Sequence, residues 1–291
     1  MKVTAEQFKR EYPFRSNHLD LQGFKYHYVD EGSGENVLMV HGTPAWSFFY
    51  RRAITGLRSR FRCVAPDHMG CGFSDKPQKY AYRLQTHIDN LESLVNLLGL
   101  GDINLVVHDW GAPIGIGMAL RQPERVKRMI VLNSAAFLSR RVPFVFRLLR
   151  LPLLGAVAIR GFNTIATSAT TLAVAKHERM TPVVETGYLA PYNSWANRIA
   201  HLRFLQDVPL SPRHPSYATL RAIDEGLPQL ADRPVLICWG ERDFVFTSHF
   251  LSEWRRRFPR AQVHTFADAG HYVLEDAHEK IIPLMRSFLE D

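Results

Sequence analysis

The chain has 291 residues, 46% of them hydrophobic and 22% charged, which is the make-up of a globular protein with a large core and excludes a disordered or fibrous one. The net charge of +8 is concentrated at Arg140, Arg141, Arg147, Arg150 and Arg160 and again at Arg255, Arg256 and Arg257; no nucleic-acid-binding motif accompanies it, so a solvated basic surface is the plainer reading, with a membrane or partner-protein contact as the functional one. No apolar run nears the roughly 18 residues of a membrane span, the first ten residues hold no signal core, and Cys63, Cys71 and Cys238 form no metal or redox pair, so a soluble cytoplasmic protein without metal or cofactor is expected.

Taken in order, residues 18–30 alternate around Gly23 and predict a β-hairpin, followed by a turn over 31–34. Val37, Leu38, Met39 and Val40 make a short buried strand that ends at His41-Gly42-Thr43-Pro44, a loop suited to presenting backbone donors. A helix over 46–59 and a strand over 63–66 come next, and Gly70 and Gly72 shape the loop that follows. Residues 83–98 form an amphipathic helix with Leu84, Ile88, Leu91, Leu94, Val95 and Leu98 on one face, stopped by Gly99 and Gly101. Leu105, Val106 and Val107 are a strand, His108 to Gly111 a sharp turn, residues 112–120 a helix and 126–133 a further strand.

This alternation predicts an α/β fold with a mostly parallel, twisted sheet flanked by helices. From 134 to about 230 the pattern turns helical and is broken by prolines such as Pro143, Pro152, Pro182 and Pro191, which reads as a cap inserted between core segments 1–133 and 231–291. The apolar, sparsely basic stretch 142–159 fits a cap helix packed on the core, or else a wall for a long-chain substrate or a membrane contact. The core resumes with a strand over 234–240, a helix over 247–257, a strand over 262–266 and a last helix over 277–289. Ligands of such sheets bind beyond the carboxyl ends of the strands. The loops at Thr43, Asp109, Asp243 and His271 all fall there.

Asp109 occupies the turn between a strand and a helix. Taken alone it also fits a helix N-cap. Asp243 fits a solvated turn acid and His271 an ordinary loop histidine. Together the three stand at strand ends in the order nucleophile, acid, histidine of an α/β-hydrolase triad. A carboxylate nucleophile needs no base for its first attack. The histidine is then free to take a proton from water, while the second acid holds the ring. The backbone N–H groups of Trp110 and Thr43 are the candidate oxyanion donors, and the Trp110 indole offers another donor to a leaving anion. No GxSxG elbow occurs, His41, His68 and His108 lack metal-ligand spacing, and there is no phosphate loop or dinucleotide fingerprint.

The segments HGTPAWSFFYR, DHMGCGFSDKP, HDWGAPIG, CWGERDFVF and DAGHYVLED, with GYLAPYNSWANRI and HPSY in the cap, resemble the haloalkane dehalogenases, and most of all the branch that also holds the β-lactone decarboxylases of long-chain olefin biosynthesis. The resemblance implies Asp109 as nucleophile, His271 as base, Asp243 as acid and Trp110 as the first leaving-group donor, acting on a small apolar or long-chain substrate. Some members carry the acid after the preceding strand, where this chain has Asn133. The position that usually holds a second halide donor, Asn or Glu, is Thr43, with Trp195 as a substitute donor from the cap. Phe144, Trp195, Phe204, Val245 and Tyr272 are the expected pocket walls. The leading expectation is haloalkane hydrolysis through a covalent alkyl-enzyme ester. The alternatives are decarboxylation of a cis-β-lactone, epoxide hydrolysis assisted by Tyr188, Tyr192 or Tyr217, and a non-catalytic binding module on the same fold.

Overall fold

The computed structural model describes residues 5–291. A short helix α1 (Ala5–Glu11) precedes a hairpin of β1 (Asn17–Leu21) and β2 (Phe24–Glu31). Gln22 and Gly23 both take left-handed φ, 57° and 85°, which closes the two-residue turn with a twist that matches the strands. Then follow β3 (Glu35–Val40), a 3-10 turn over Ser47–Tyr50, α2 (Arg51–Leu57), β4 (Phe61–Pro66), α3 (Leu84–Leu97), β5 (Ile103–Asp109), α4 (Gly111–Ala119) and β6 (Val126–Ser134). The eight strands of the sheet, completed by β7 (Val235–Gly240) and β8 (Gln262–Phe266), run in the order β1-β2-β4-β3-β5-β6-β7-β8. Only the pairs β1–β2 and β2–β4 are antiparallel.

Strands buried on both faces read as unbroken apolar runs because each face packs on its own layer of helices. On β5, Leu105 and Val107 belong to one core with Leu91 of α3 and Ile116 of α4, whereas Val106 belongs to the other with Ile54 of α2. The parallel strands therefore all release their loops at one edge, and that edge carries the site.

Between β6 and β7 the described chain is helical: α5 (Phe144–Leu149), α6 (Pro152–Gly155), a π-helical turn over Ala156–Gly161, α7 (Thr164–Leu172), α8 (Pro182–Leu189), α9 (Ile199–Asp207) and α10 (Tyr217–Gly226). The core closes with α11 (Ser248–Arg257) and α12 (Val273–Glu290). The last helix starts four residues earlier than its apolar periodicity predicts. Ala277, at φ −140°, breaks its geometry, so periodicity alone picks up only the part beyond the break. Among the described residues no helix is long and apolar enough to cross a membrane.

Candidate active site

Asp109 ends β5 in a left-handed conformation, φ 52°, that is uncommon for a non-glycine residue. Two loops pack closely around it. A Cβ on Gly42 would lie 2.1 Å from Asp109 Oδ1, and one on Gly111 would lie 2.1 Å from the Val40 carbonyl oxygen. Only glycine at both positions lets the turn sit against the loop after β3. The carboxylate is thereby held above the sheet at the start of α4, where the Trp110 N–H donates to its Oδ1.

His271, on the loop between β8 and α12, is placed between two carboxylates. Its Nε2 lies 3.2 Å from Asp109 Oδ2 and its Nδ1 2.7 Å from Asp243 Oδ2. Asp243 is fully committed: Oδ1 accepts from the N–H groups of Val245 (2.7 Å) and Phe246 (3.0 Å), and Oδ2 also accepts from Asn133 Nδ2 (3.0 Å). Burial opposes charge on the imidazole, but the carboxylates of Asp243 and Asp109 outweigh it and lift His271 to about 10. The two acids, one against each ring nitrogen, thus favour the protonated ring.

Several residues that sequence reasoning missed hold this arrangement. Asn133 stands at the strand end where some relatives carry the acid, and here it binds the acid from the next strand and ties down Gly240. That shared strand-end position was the available signal. His108 donates from Nε2 to the His271 carbonyl at 3.0 Å and stacks on Phe49. His68 donates to the His41 carbonyl at 2.8 Å and fixes the loop that carries Thr43. Asp276 accepts the Gly270 N–H at 2.7 Å along with those of Ala175 and Lys176, so the histidine loop is pinned to the cap.

A cavity of about 130 Å³ opens over Asp109 between core and cap. Thr43 and Trp110 line its floor; Phe137, Phe146, Phe204, Leu205, Phe246 and Phe250 are among its walls, and Arg141 is the one cation in its lining. The Thr43 hydroxyl and the Trp110 indole N–H are both buried without a hydrogen-bond partner among the described residues. Leaving such groups unpaired is costly, and both residues line the cavity together with Asp109.

Residues 35–278 match the α/β-hydrolase fold family. The chain belongs to the α/β-hydrolase family. Over 285 residues this α/β hydrolase is 47% identical to a cis-3-alkyl-4-alkyloxetan-2-one decarboxylase of Shewanella oneidensis, covering 96% of this chain and 89% of that one. It is 44% identical to a protein of the same name from Xanthomonas campestris, covering 96% and 97%, and 34% identical to a haloalkane dehalogenase of Mycolicibacterium paratuberculosis, covering 91% and 89%. Its fold matches the crystal structure of the haloalkane dehalogenase DatA from Agrobacterium tumefaciens with a TM-score of 0.85 at 23% identity, covering 95% and 96%. The resemblance to dehalogenases and to β-lactone decarboxylases therefore stands.

Within this α/β hydrolase the expected pocket walls divide. Phe204 and Val245 line the cavity. Phe144, Trp195 and Tyr272 do not. Phe144 opens α5 and points outward, 73% exposed, while Phe146 two residues on takes the wall. The Trp195 ring lies under the Arg160 guanidinium, 4.7 Å away, and is half exposed. Tyr272 is buried against Tyr188, with ring centroids 5.0 Å apart. The cap tyrosines are also committed elsewhere: Tyr188 donates to Glu275 at 2.6 Å, and the Tyr192 hydroxyl accepts the Gly72 N–H at 3.1 Å. Neither these two nor Tyr217 lines the cavity.

Proposed function

We propose that this α/β hydrolase is a cis-β-lactone decarboxylase, converting a dialkyl β-lactone to an alkene and carbon dioxide. The observation that carries the reading is the pair of partnerless donors, Trp110 Nε1 and Thr43 Oγ1, on the floor beside Asp109. The whole-length kinship with the two decarboxylases, stronger than that with the dehalogenase, supports it.

The route follows from these groups. An Asp109 oxygen forms a bond to the ring carbon that carries the ring oxygen. The carbon–oxygen bond of the ring breaks, its electron pair stays on oxygen, and a free carboxylate appears on the neighbouring carbon. On this reading Trp110 Nε1 and Thr43 Oγ1 donate to that carboxylate. The bond to the carboxyl carbon then breaks, its electron pair becomes the carbon–carbon double bond, the ester bond to Asp109 returns its pair to the aspartate, and carbon dioxide leaves. Inversion in the first step and anti departure in the second turn a cis lactone into a cis alkene. The His271 imidazolium, 3.2 Å from Asp109, stabilises the departing carboxylate.

Charge decides between this outcome and hydrolysis. When a haloalkane alkylates Asp109, a negative charge disappears beside His271 as the halide leaves, its affinity for a proton falls and it becomes a base for water. When a lactone alkylates Asp109, the substrate keeps the negative charge in the cavity. His271 then stays protonated and water is not activated, so the intermediate collapses by losing carbon dioxide. Haloalkane hydrolysis remains the second reading, favoured by the same triad and by the Trp110 indole.

The test is turnover of a synthetic cis-dialkyl β-lactone beside a 1-bromoalkane of matched length. The cis alkene is expected as the main product, and Asp109→Asn is expected to abolish it. A β-hydroxy acid as main product, or halide release faster than alkene formation, overturns the reading. Thr43→Asn restores the usual halide donor and is expected to raise halide release while lowering alkene formation.

A further inference from the structure

Eight of the thirteen strongly exposed large apolar side chains of the described chain fall within residues 144–162. Leu153, Phe162 and Phe144 are 85%, 74% and 73% exposed, and Val145, Leu148 and Leu151 stand between them. Isolated exposed leucines are ordinary, but a crowd of them on consecutive short helices marks a surface that meets something apolar. The same stretch carries Arg140, Arg141, Arg147, Arg150 and Arg160, and from residue 125 to residue 177 there is no Asp or Glu at all. Among the described residues none of these guanidiniums forms an ion pair with a carboxylate, and only Arg150 feels one, Asp207, through space. Arg147 donates to the Arg140 carbonyl, Arg150 to the Gln206 carbonyl and Arg160 to the Trp195 carbonyl.

The face is also the outer side of the cavity wall. Arg141, Val142, Pro143 and Phe146 line the cavity, and their neighbours Phe144, Val145 and Leu148 belong to the exposed surface. One short segment thus has the cavity on one side and the apolar, cationic face on the other.

We propose that this face docks on an anionic phospholipid bilayer, with its leucines and phenylalanines at the acyl boundary and its arginines among the headgroup phosphates. Apolar side chains interleaved with arginines and free of acids are the composition of segments that lie in a lipid interface. A second copy of the chain is disfavoured by charge, since it would set one arginine face against another. The docking rests on the surface alone. Its use, delivering a water-insoluble dialkyl lactone from lipid to Asp109, rests on the proposed decarboxylase reading.

The experiment is co-sedimentation of the full chain with vesicles of phosphatidylcholine alone or with one third phosphatidylglycerol. The wild type is expected to pellet with the anionic vesicles and to be released by high salt. Arg140→Gln and Arg147→Gln are each expected to lower the partition coefficient roughly fivefold, the worth of one charge near an anionic leaflet. Leu153→Ser with Phe162→Ser is expected to lower it further. None of these four side chains lines the cavity. Alkene formation from detergent-dispersed lactone is therefore expected to be unchanged in every variant. A chain that stays in the supernatant with both vesicle types overturns the docking, as do variants that bind like the wild type. Self-association without vesicles, abolished by the serine pair, replaces the bilayer with a second copy. Absence of alkene in detergent with vesicle binding intact strikes the functional reading and leaves the docking standing.

Discussion

His271 has a carboxylate against each ring nitrogen, and its protonation records the charge they carry. Folding raises its pKa from the ordinary imidazole value of about 6.5 to about 10. A group whose pKa rises on folding contributes stability that is fully present below the unfolded value and is lost as the pH climbs through the folded one. Wild-type melting temperature is therefore expected to fall between about pH 6.5 and pH 10, and His271→Phe is expected to flatten that fall; a wild-type profile as flat as the variant's would remove the clamped imidazolium. At this scale the meeting of Asp109, Asp243 and His271 was legible because each ends its own strand, and a parallel sheet gathers such ends at one edge. Asn133 was not legible as a partner of Asp243. Its role depends on the register that sets β6 beside β7, which one chain's composition does not state. Phe144 and Phe146 are equally apolar, and only the direction in which α5 leaves Pro143 decides which of them faces the cavity.

Among the elements, one buried cluster joins core and cap. Arg51 of α2 donates to both Glu275 oxygens, at 2.9 Å from Nη2, and Tyr188 of α8 donates to the same carboxylate. Burial works against the charge of Glu275, yet Arg51 and Tyr188 more than offset it and hold its pKa below the usual carboxylate range. A depressed pKa contributes stability present above the unfolded value and lost as the pH falls through the folded one. Glu275→Ala strands the Arg51 cation and is expected to cost about 3–5 kcal/mol in denaturant unfolding at neutral pH, with a smaller deficit in acid; a cost below about 1 kcal/mol would show the pair to be dispensable. The strands were legible from their apolar runs, and the cap from the loss of those runs together with its prolines. The link between them was not, because Arg51, Tyr188 and Glu275 lie far apart in the chain and each looks like a surface residue.

For the molecule as a whole, the parallel alternation was readable, but the strand order was not. The crossovers that put β3 between β4 and β5 are packing decisions made after the strands exist. The same holds for the cavity, whose walls come from the cap and from both halves of the core and whose lining is mostly apolar. That lining has a kinetic consequence. On the proposed route the ester on Asp109 stands at a fork, with fragmentation to alkene in one direction and capture by water in the other. Beside the charge on His271, the walls act on the branching ratio between the two by limiting water, independently of how fast the ester forms. Leu205→Ser, a change in the wall that touches no member of the triad, is expected to divert a measurable share of each turnover into β-hydroxy acid while lactone consumption stays near the wild-type rate. Equal product ratios in variant and wild type would mean that fidelity is set by the charge on His271 alone. On this account the catalytic groups give the protein its speed, and the apolar walls join the charge on His271 in setting how rarely it leaks.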